Sequence, residues 1–204
     1  MQEIEFIFGI AILIMSVVAH ELSHGYAAEA LGDPTARLAG RLTINPLKHL
    51  DPIGSVIVPT LSFWLGGFIF GWAKPVPYNP YNLSPRRAGE IVVAAAGAFT
   101  NIVLALIFGM LIRFGADALP VPFVDLAATV VFINIILAFF NLIPIPPLDG
   151  SKVLFGLLPF RFHAVQEFLE RYALLLLLVF AFFLWQFFLP FVLFLFSFVT
   201  GVSF

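Results

Sequence analysis

The chain has 204 residues, of which 61% are hydrophobic and only 11% charged, with a mean hydropathy of +1.05 and a formal net charge of −2. A soluble domain carries about 25% charged residues, so this composition excludes a soluble enzyme and a disordered chain. The absence of a basic field excludes a nucleic-acid binder, and the absence of cysteine removes disulfides and thiolate metal sites.

The remaining class is an all-α polytopic membrane protein forming one domain over residues 1–204. A spanning helix needs about 20 mostly apolar residues. The first such run covers residues 4–31. It opens on Glu3 and Glu5 rather than Lys or Arg, and its second half carries His20, Glu21 and His24, so it reads as a spanning helix and not as a cleavable signal. The next stretch, Ala36–Ile44, alternates: Leu38, Leu42 and Ile44 fall on one side, Arg37, Arg41 and Thr43 on the other. Period two predicts a short membrane-proximal β-hairpin, whose edge would pair with and extend an unwound substrate.

The apolar run Ile53–Trp72 contains Gly54, Pro59, Gly66 and Gly67. Breakers at this density predict a re-entrant segment that leaves on the side it entered. Three further runs predict crossings at 89–112, 126–142 and 172–199, the last with Pro190 as a kink. Between the second and third crossings lies a predicted 13-residue loop, Arg113–Asp125, too short to fold alone.

Four crossings place nine of the ten basic residues on one side and Arg113 alone on the other. That is the bias of the positive-inside rule. It puts both termini outside and the basic loops in the cytoplasm. Were Ile53–Trp72 to span, Lys74, Arg86 and Arg87 would move outside and the bias would shrink.

Chemistry concentrates in the first helix, where His20-Glu21-Leu22-Ser23-His24 fits H-E-x-x-H. Residues four apart on a helix share a face, so two imidazoles can hold one zinc ion while Glu21 takes a proton from water. Ionisable groups in a membrane-length helix are costly and mark functional sites. From Phe6 to His20 the helix rises about 21 Å, which sets the ion roughly 10 Å inside the cytoplasmic edge of the hydrocarbon core.

Catalytic zinc takes three protein ligands and leaves one position open. Ala27 and Ala30 stand where a longer zincin motif would continue, so the third ligand lies elsewhere. His49 and Asp51 are nearby candidates. Asp149 is a remote one, following the fourth apolar run and a Pro144/Pro146/Pro147 break. Four crossings bring Asp149 to the depth of His20, and a spanning Ile53–Trp72 would put it on the opposite face.

With these residues in view, the chain resembles the site-2 protease family of intramembrane zinc metalloproteases (peptidase family M50), in the minimal form without PDZ or CBS domains. Three motifs carry the resemblance in order: His20-Glu21-x-x-His24, Gly97-x-x-x-Asn101, and Asn141-x-x-Pro144 leading to Leu148-Asp149-Gly150. They span a motif core of about 4–160. The resemblance implies that His20, His24 and Asp149 bind one catalytic Zn2+, that Glu21 is the catalytic base, and that the partners are membrane proteins with transmembrane helices, cut in or near the bilayer. It also implies a multi-pass protein of a prokaryotic plasma membrane with its active site near the cytoplasmic face.

Supporting roles follow. Asn101 lies in an otherwise apolar crossing, where an amide needs a partner. It is a candidate oxyanion or scissile-carbonyl contact, against a role as interhelical glue. Asn141 is a candidate substrate-binding or bracing residue, and Asn134, seven residues before it on the same face, a structural one. Asn79–Arg87 and Ile53–Trp72 are lid or gate candidates. His163 reads as a solvated histidine, and Arg86-Arg87 as an orientation signal. The competing functions are a non-proteolytic zinc-binding scaffold, which would not require Glu21, and a metal transporter, which would carry ionisable residues through the full bilayer depth.

Overall fold

The computed structural model describes residues 2–58, 60–61, 64 and 71–202. Eight α-helices carry the architecture among them. They are α1 (Gln2–Ala30), α2 (Thr35–Leu38), α3 (Arg86–Gly115), α4 (Val121–Asn141), α5 (Asp149–Leu157), α6 (His163–Arg171), α7 (Ala173–Val179) and α8 (Trp185–Thr200). A π-helical turn, Phe180–Leu184, fuses α7 to α8. Four stretches are long and apolar enough to cross a membrane: Phe6–Ala30, Arg86–Ala118, Val121–Asn141 and Ala173–Thr200. They correspond to the four predicted crossings.

Helix α3 is the central element, packed by α1, α4, α5 and α8. Its contact faces are built from small residues. Ala94, Gly97, Ala98 and Ala105 are all buried, and small side chains let helix backbones approach where lipid supplies no hydrophobic drive between helices. At the end away from the histidines a dry core forms from Ala105 and Ile112 of α3, Ala127 and Val131 of α4, and Val192 and Phe196 of α8. Large side chains such as Phe99, Phe114, Phe183 and Phe187 point outward, as lipid-facing residues do.

Ser84 N–H donates to Leu31 O at 3.0 Å, so the long connection between α1 and α3 starts and finishes at one end of the bundle. The α5–α6 region meets the same end, where Arg87 donates to Gly156 O and Leu158 O. Residues 59, 62–63 and 65–70 of the predicted re-entrant run lie outside the described residues. The flanks of that run touch each other: Trp72 N–H donates to Gly54 O at 3.0 Å, and Ser55 Oγ to Trp72 O at 2.9 Å.

Two expectations are corrected. The β-hairpin over Ala36–Ile44 is absent, and there is no strand among the described residues. Thr35–Leu38 is a helical turn instead. Asp33 Oδ1 accepts from the Thr35 N–H and hydroxyl, which starts the turn. A glycine cap ends it: Gly40 has φ +63°, Gly40 N–H bonds Arg37 O, and Arg41 N–H bonds Ala36 O, the paired closure of a Schellman motif. Leu38 and Ile44 are exposed while Arg41 is buried, so burial does not follow the alternation. A nine-residue alternation does not outweigh a local start and stop signal of this kind.

The second correction is the loop predicted over Arg113–Asp125. Helix α3 continues through a 3-10 turn, Ala116–Ala118, and α4 begins at Val121. Only Leu119 and Pro120 connect them, and Pro122 sits in the first turn of α4, where a missing N–H costs nothing.

Candidate metal centre

His20 and His24 lie one turn apart on the face of α1 that meets α3. Each ring is held from behind. His20 Nδ1–H donates to Asn101 Oδ1 at 2.6 Å, and His24 Nδ1–H donates to Val93 O at 2.7 Å. Both acceptors belong to α3. An acceptor at Nδ1 fixes the tautomer and leaves the Nε2 lone pair facing forward. Gly97 makes the His20 pose possible, because a Cβ there would lie 2.5 Å from the imidazole.

The forward space is shared with Asp149. Its Oδ2 lies 3.0 Å from His20 Nε2 and 3.1 Å from His24 Nε2. All three residues are at least nine-tenths buried. Asp149 opens α5, and Gly150 permits the tight turn before it, since a side chain there would run into the carbonyls of Leu142 and Ile143. The other oxygen, Oδ1, receives Lys152 Nζ at 3.2 Å. Burial opposes ionisation of Asp149, while the Lys152 ammonium beside Oδ1 favours its carboxylate.

Two lone-pair nitrogens and an acceptor-only carboxylate converge here at about 3 Å. Zinc bound at 2.0–2.1 Å by tetrahedral donors sets those donors roughly 3.3 Å apart. The donor set and its spacing therefore fit one such ion with an open fourth position. Glu21 adjoins the cluster. Its carboxylate and the two histidines bring ligand atoms within 4.8 Å of one another, and its Oε2 accepts the Val76 N–H at 2.8 Å.

The other third-ligand candidates are engaged elsewhere. His49 donates from Nε2 to Thr43 O, and Asp51 Oδ1 accepts from the N–H groups of Ile53 and Gly54. Asn101 stands behind His20, fully buried, with its amide donating to Asn134 Oδ1 at 2.7 Å. Asn134 in turn donates to Ser16 Oγ at 2.9 Å and to Val130 O. Asn141 is half-buried and donates to Leu137 O on its own helix. No described hydrogen bond or ion pair joins it to the histidines.

Ser16, Val76 and Lys152 escaped the sequence reading. Ser16 sits four residues before His20, and Lys152 three after Asp149, so helical spacing from these candidate ligands was the available signal. A cavity of about 580 Å3 opens beside Lys152, lined by Tyr78, Arg87, Glu90, Pro146 and Ser151 among others.

Comparison with known proteins gives the family. A family model described as "Peptidase family M50" matches residues 116–184, which include Asp149. The chain is 36% identical over 174 residues to "Putative zinc metalloprotease YwhC" of Bacillus subtilis, covering 82% of this chain and 76% of that protein. The chain belongs to peptidase family M50. It is also 34% identical over 149 residues to "Putative zinc metalloprotease Rip2" of Mycolicibacterium smegmatis, covering 73% of this chain and 56% of that one. A shorter match, 39% over 77 residues, joins it to "Putative zinc metalloprotease MJ0611" of Methanocaldococcus jannaschii, with 38% of each covered. No solved structure matches the chain. Membership makes it a site-2 protease-like metallopeptidase, and the four apolar helices fit an integral membrane protein.

Proposed function

We propose that this chain is an intramembrane zinc endopeptidase that hydrolyses peptide bonds in or near the transmembrane segments of other membrane proteins. The observation that carries the reading is the convergence of His20 Nε2, His24 Nε2 and Asp149 Oδ2 beside the Glu21 carboxylate. Residues 4–160 act as the motif core, and the helical stretch 173–200 flanks it.

His20, His24 and Asp149 hold the ion. Zinc, when bound, supplies Lewis acidity that polarises a carbonyl and acidifies water. Glu21 accepts the proton of the attacking water and passes it to the leaving amine. Asn101 fixes the tautomer of His20, a role its buried position and double engagement support better than direct contact with substrate. Asn141, at the inner end of α4, is a bracing or substrate-contact residue.

The nine basic residues at the metal end of the bundle support a cytoplasmic placement of the site, with both termini outside. The hydrogen-bonded flanks of the 53–72 run support the re-entrant reading. Water and the unwound substrate then reach the site from the cytoplasmic side.

Co-expression with a tagged single-span membrane protein that the wild type cleaves tests the reading. Glu21→Gln is expected to retain zinc and to stop cleavage. Continued cleavage by that variant removes Glu21 as the base.

A further inference from the structure

The connection before α3 passes directly over Glu21. Residues 71–79 have no regular secondary structure, yet they are bound at every stage. Lys74 N–H donates to His49 O, and Lys74 O accepts from Arg41 Nη2, both at 2.8 Å. Val76 is buried, and its N–H donates to Glu21 Oε2. Farther on, Asn79 N–H donates to Asp33 Oδ2 at 2.6 Å and Asn82 Nδ2 to Asp33 Oδ1 at 2.8 Å. Asp33 is fully buried and spends its carboxylate on these bonds and on Thr35.

The sequence is shaped for this path. Pro75 and Pro77 flank Val76. Proline has no N–H and a fixed φ, so the triplet is stiff and extended and offers one donor, which points at Glu21. Residue 25 lies one turn beyond Glu21 on the same face of α1, and it is glycine. A Cβ there would meet Leu42 Cδ2 at 2.5 Å and Val76 Cγ1 at 2.9 Å. The bare helix surface lets the segment lie close enough to reach the carboxylate.

We propose that Lys74–Asn82 is a positioning strap: the Val76 N–H orients Glu21 through one oxygen and leaves the other for the water proton, and Arg41 and Asp33 hold the strap in register. The inference rests on Glu21 being the base. A backbone donor suits the task, because a charge-assisted hydrogen bond to a carboxylate is short and strong, and a stiff main chain loses little freedom in making it. The strap residues are positioning residues. They act through Glu21 and touch neither the ion nor the scissile bond.

The test uses the full chain in proteoliposomes with a purified single-span helix that the wild type cleaves. Val76→Pro deletes the one N–H and keeps the extended backbone. It is expected to lower kcat at least about tenfold, to leave KM within about twofold, and to keep zinc at the wild-type ratio. Asp33→Asn, which turns one acceptor into a donor, is expected to lower kcat in the same way but less. An independent readout needs no turnover. Amide hydrogen exchange in the 72–78 segment is expected to quicken in Glu21→Ala, because the Val76 N–H loses its acceptor.

Wild-type kcat in Val76→Pro with zinc bound overturns the proposal. A raised kcat also overturns it, and means that the strap obstructs the base. Should Val76→Pro fail to accumulate, unchanged exchange in Glu21→Ala together with unchanged kcat in Asp33→Asn rejects the strap. Loss of cleavage in Glu21→Gln alongside an inert Val76→Pro rejects the strap alone and leaves the base in place.

Discussion

The helix bundle is built on opposite plans at its two ends. Around the histidines, buried polar groups follow one another: Ser16 to Asn134, Asn134 to Asn101, Asn101 to His20, His20 to Asp149, Asp149 to Lys152. Toward the far end, Ala105, Ile112, Val131, Val192 and Phe196 pack as one apolar cluster. The first plan is steep. Removing one member of a buried network strands its neighbour in a low dielectric, at about 1–3 kcal/mol or more. The second plan is graded, because lipid is as apolar as the core it borders. The proposed site, which would hold a cation and water inside a membrane, needs the steep kind of order, and the rest of the bundle does not.

Substitutions break this contrast in order of size. His24→Ala removes a proposed ligand outright and is expected to abolish zinc binding and cleavage together, read by metal content and by substrate turnover. Asn101→Leu leaves all ligands in place but frees the His20 ring. Loss of such an outer partner costs about 10–100-fold in metal affinity, measurable by chelator competition. Gly97→Ala drives a methyl toward the same ring. Overpacking costs roughly 1–3 kcal/mol, seen as a lower unfolding midpoint with weakened zinc binding. Phe196→Leu in the apolar core should cost roughly 0.5–3 kcal/mol of stability and leave metal affinity untouched. An effect of Phe196→Leu on zinc as large as that of Asn101→Leu would erase the distinction between the two ends.

The two plans were not equally legible in the sequence. The four crossings showed because apolar runs of about bilayer length, little broken by glycine and proline, favour a spanning helix. His20, Glu21 and His24 showed because ionisable groups stand out against such a background. Asp149 was reachable through topology: the connection from Leu31 to Ser84 returns to the end it left, which brings the Asn141 end of α4 beside that end of α1. The short α2 was misread as a strand, because alternation over nine residues hid the Asp33 start signal and the Gly40 cap. The loop Arg113–Asp125 was overestimated, because Ala116–Ala118 carries no apolar run of its own yet continues the helix. Val76 left no trace at all. A backbone donor has no letter in the sequence, and its partner lies 55 residues away. The amide relay was half visible: Asn101 and Asn134 stood out as polar residues in apolar helices, but their mutual contact is a product of how α3 and α4 pack.

Metal stoichiometry bears most directly on the centre of the account. Zinc per purified chain should be one for the wild type and remain so in His49→Ala and Asp51→Ala, whose side chains bond elsewhere. It should fall to near zero in Asp149→Ala. Full zinc occupancy in Asp149→Ala, with loss in either of the other two variants, would contradict the three-ligand cage of His20, His24 and Asp149.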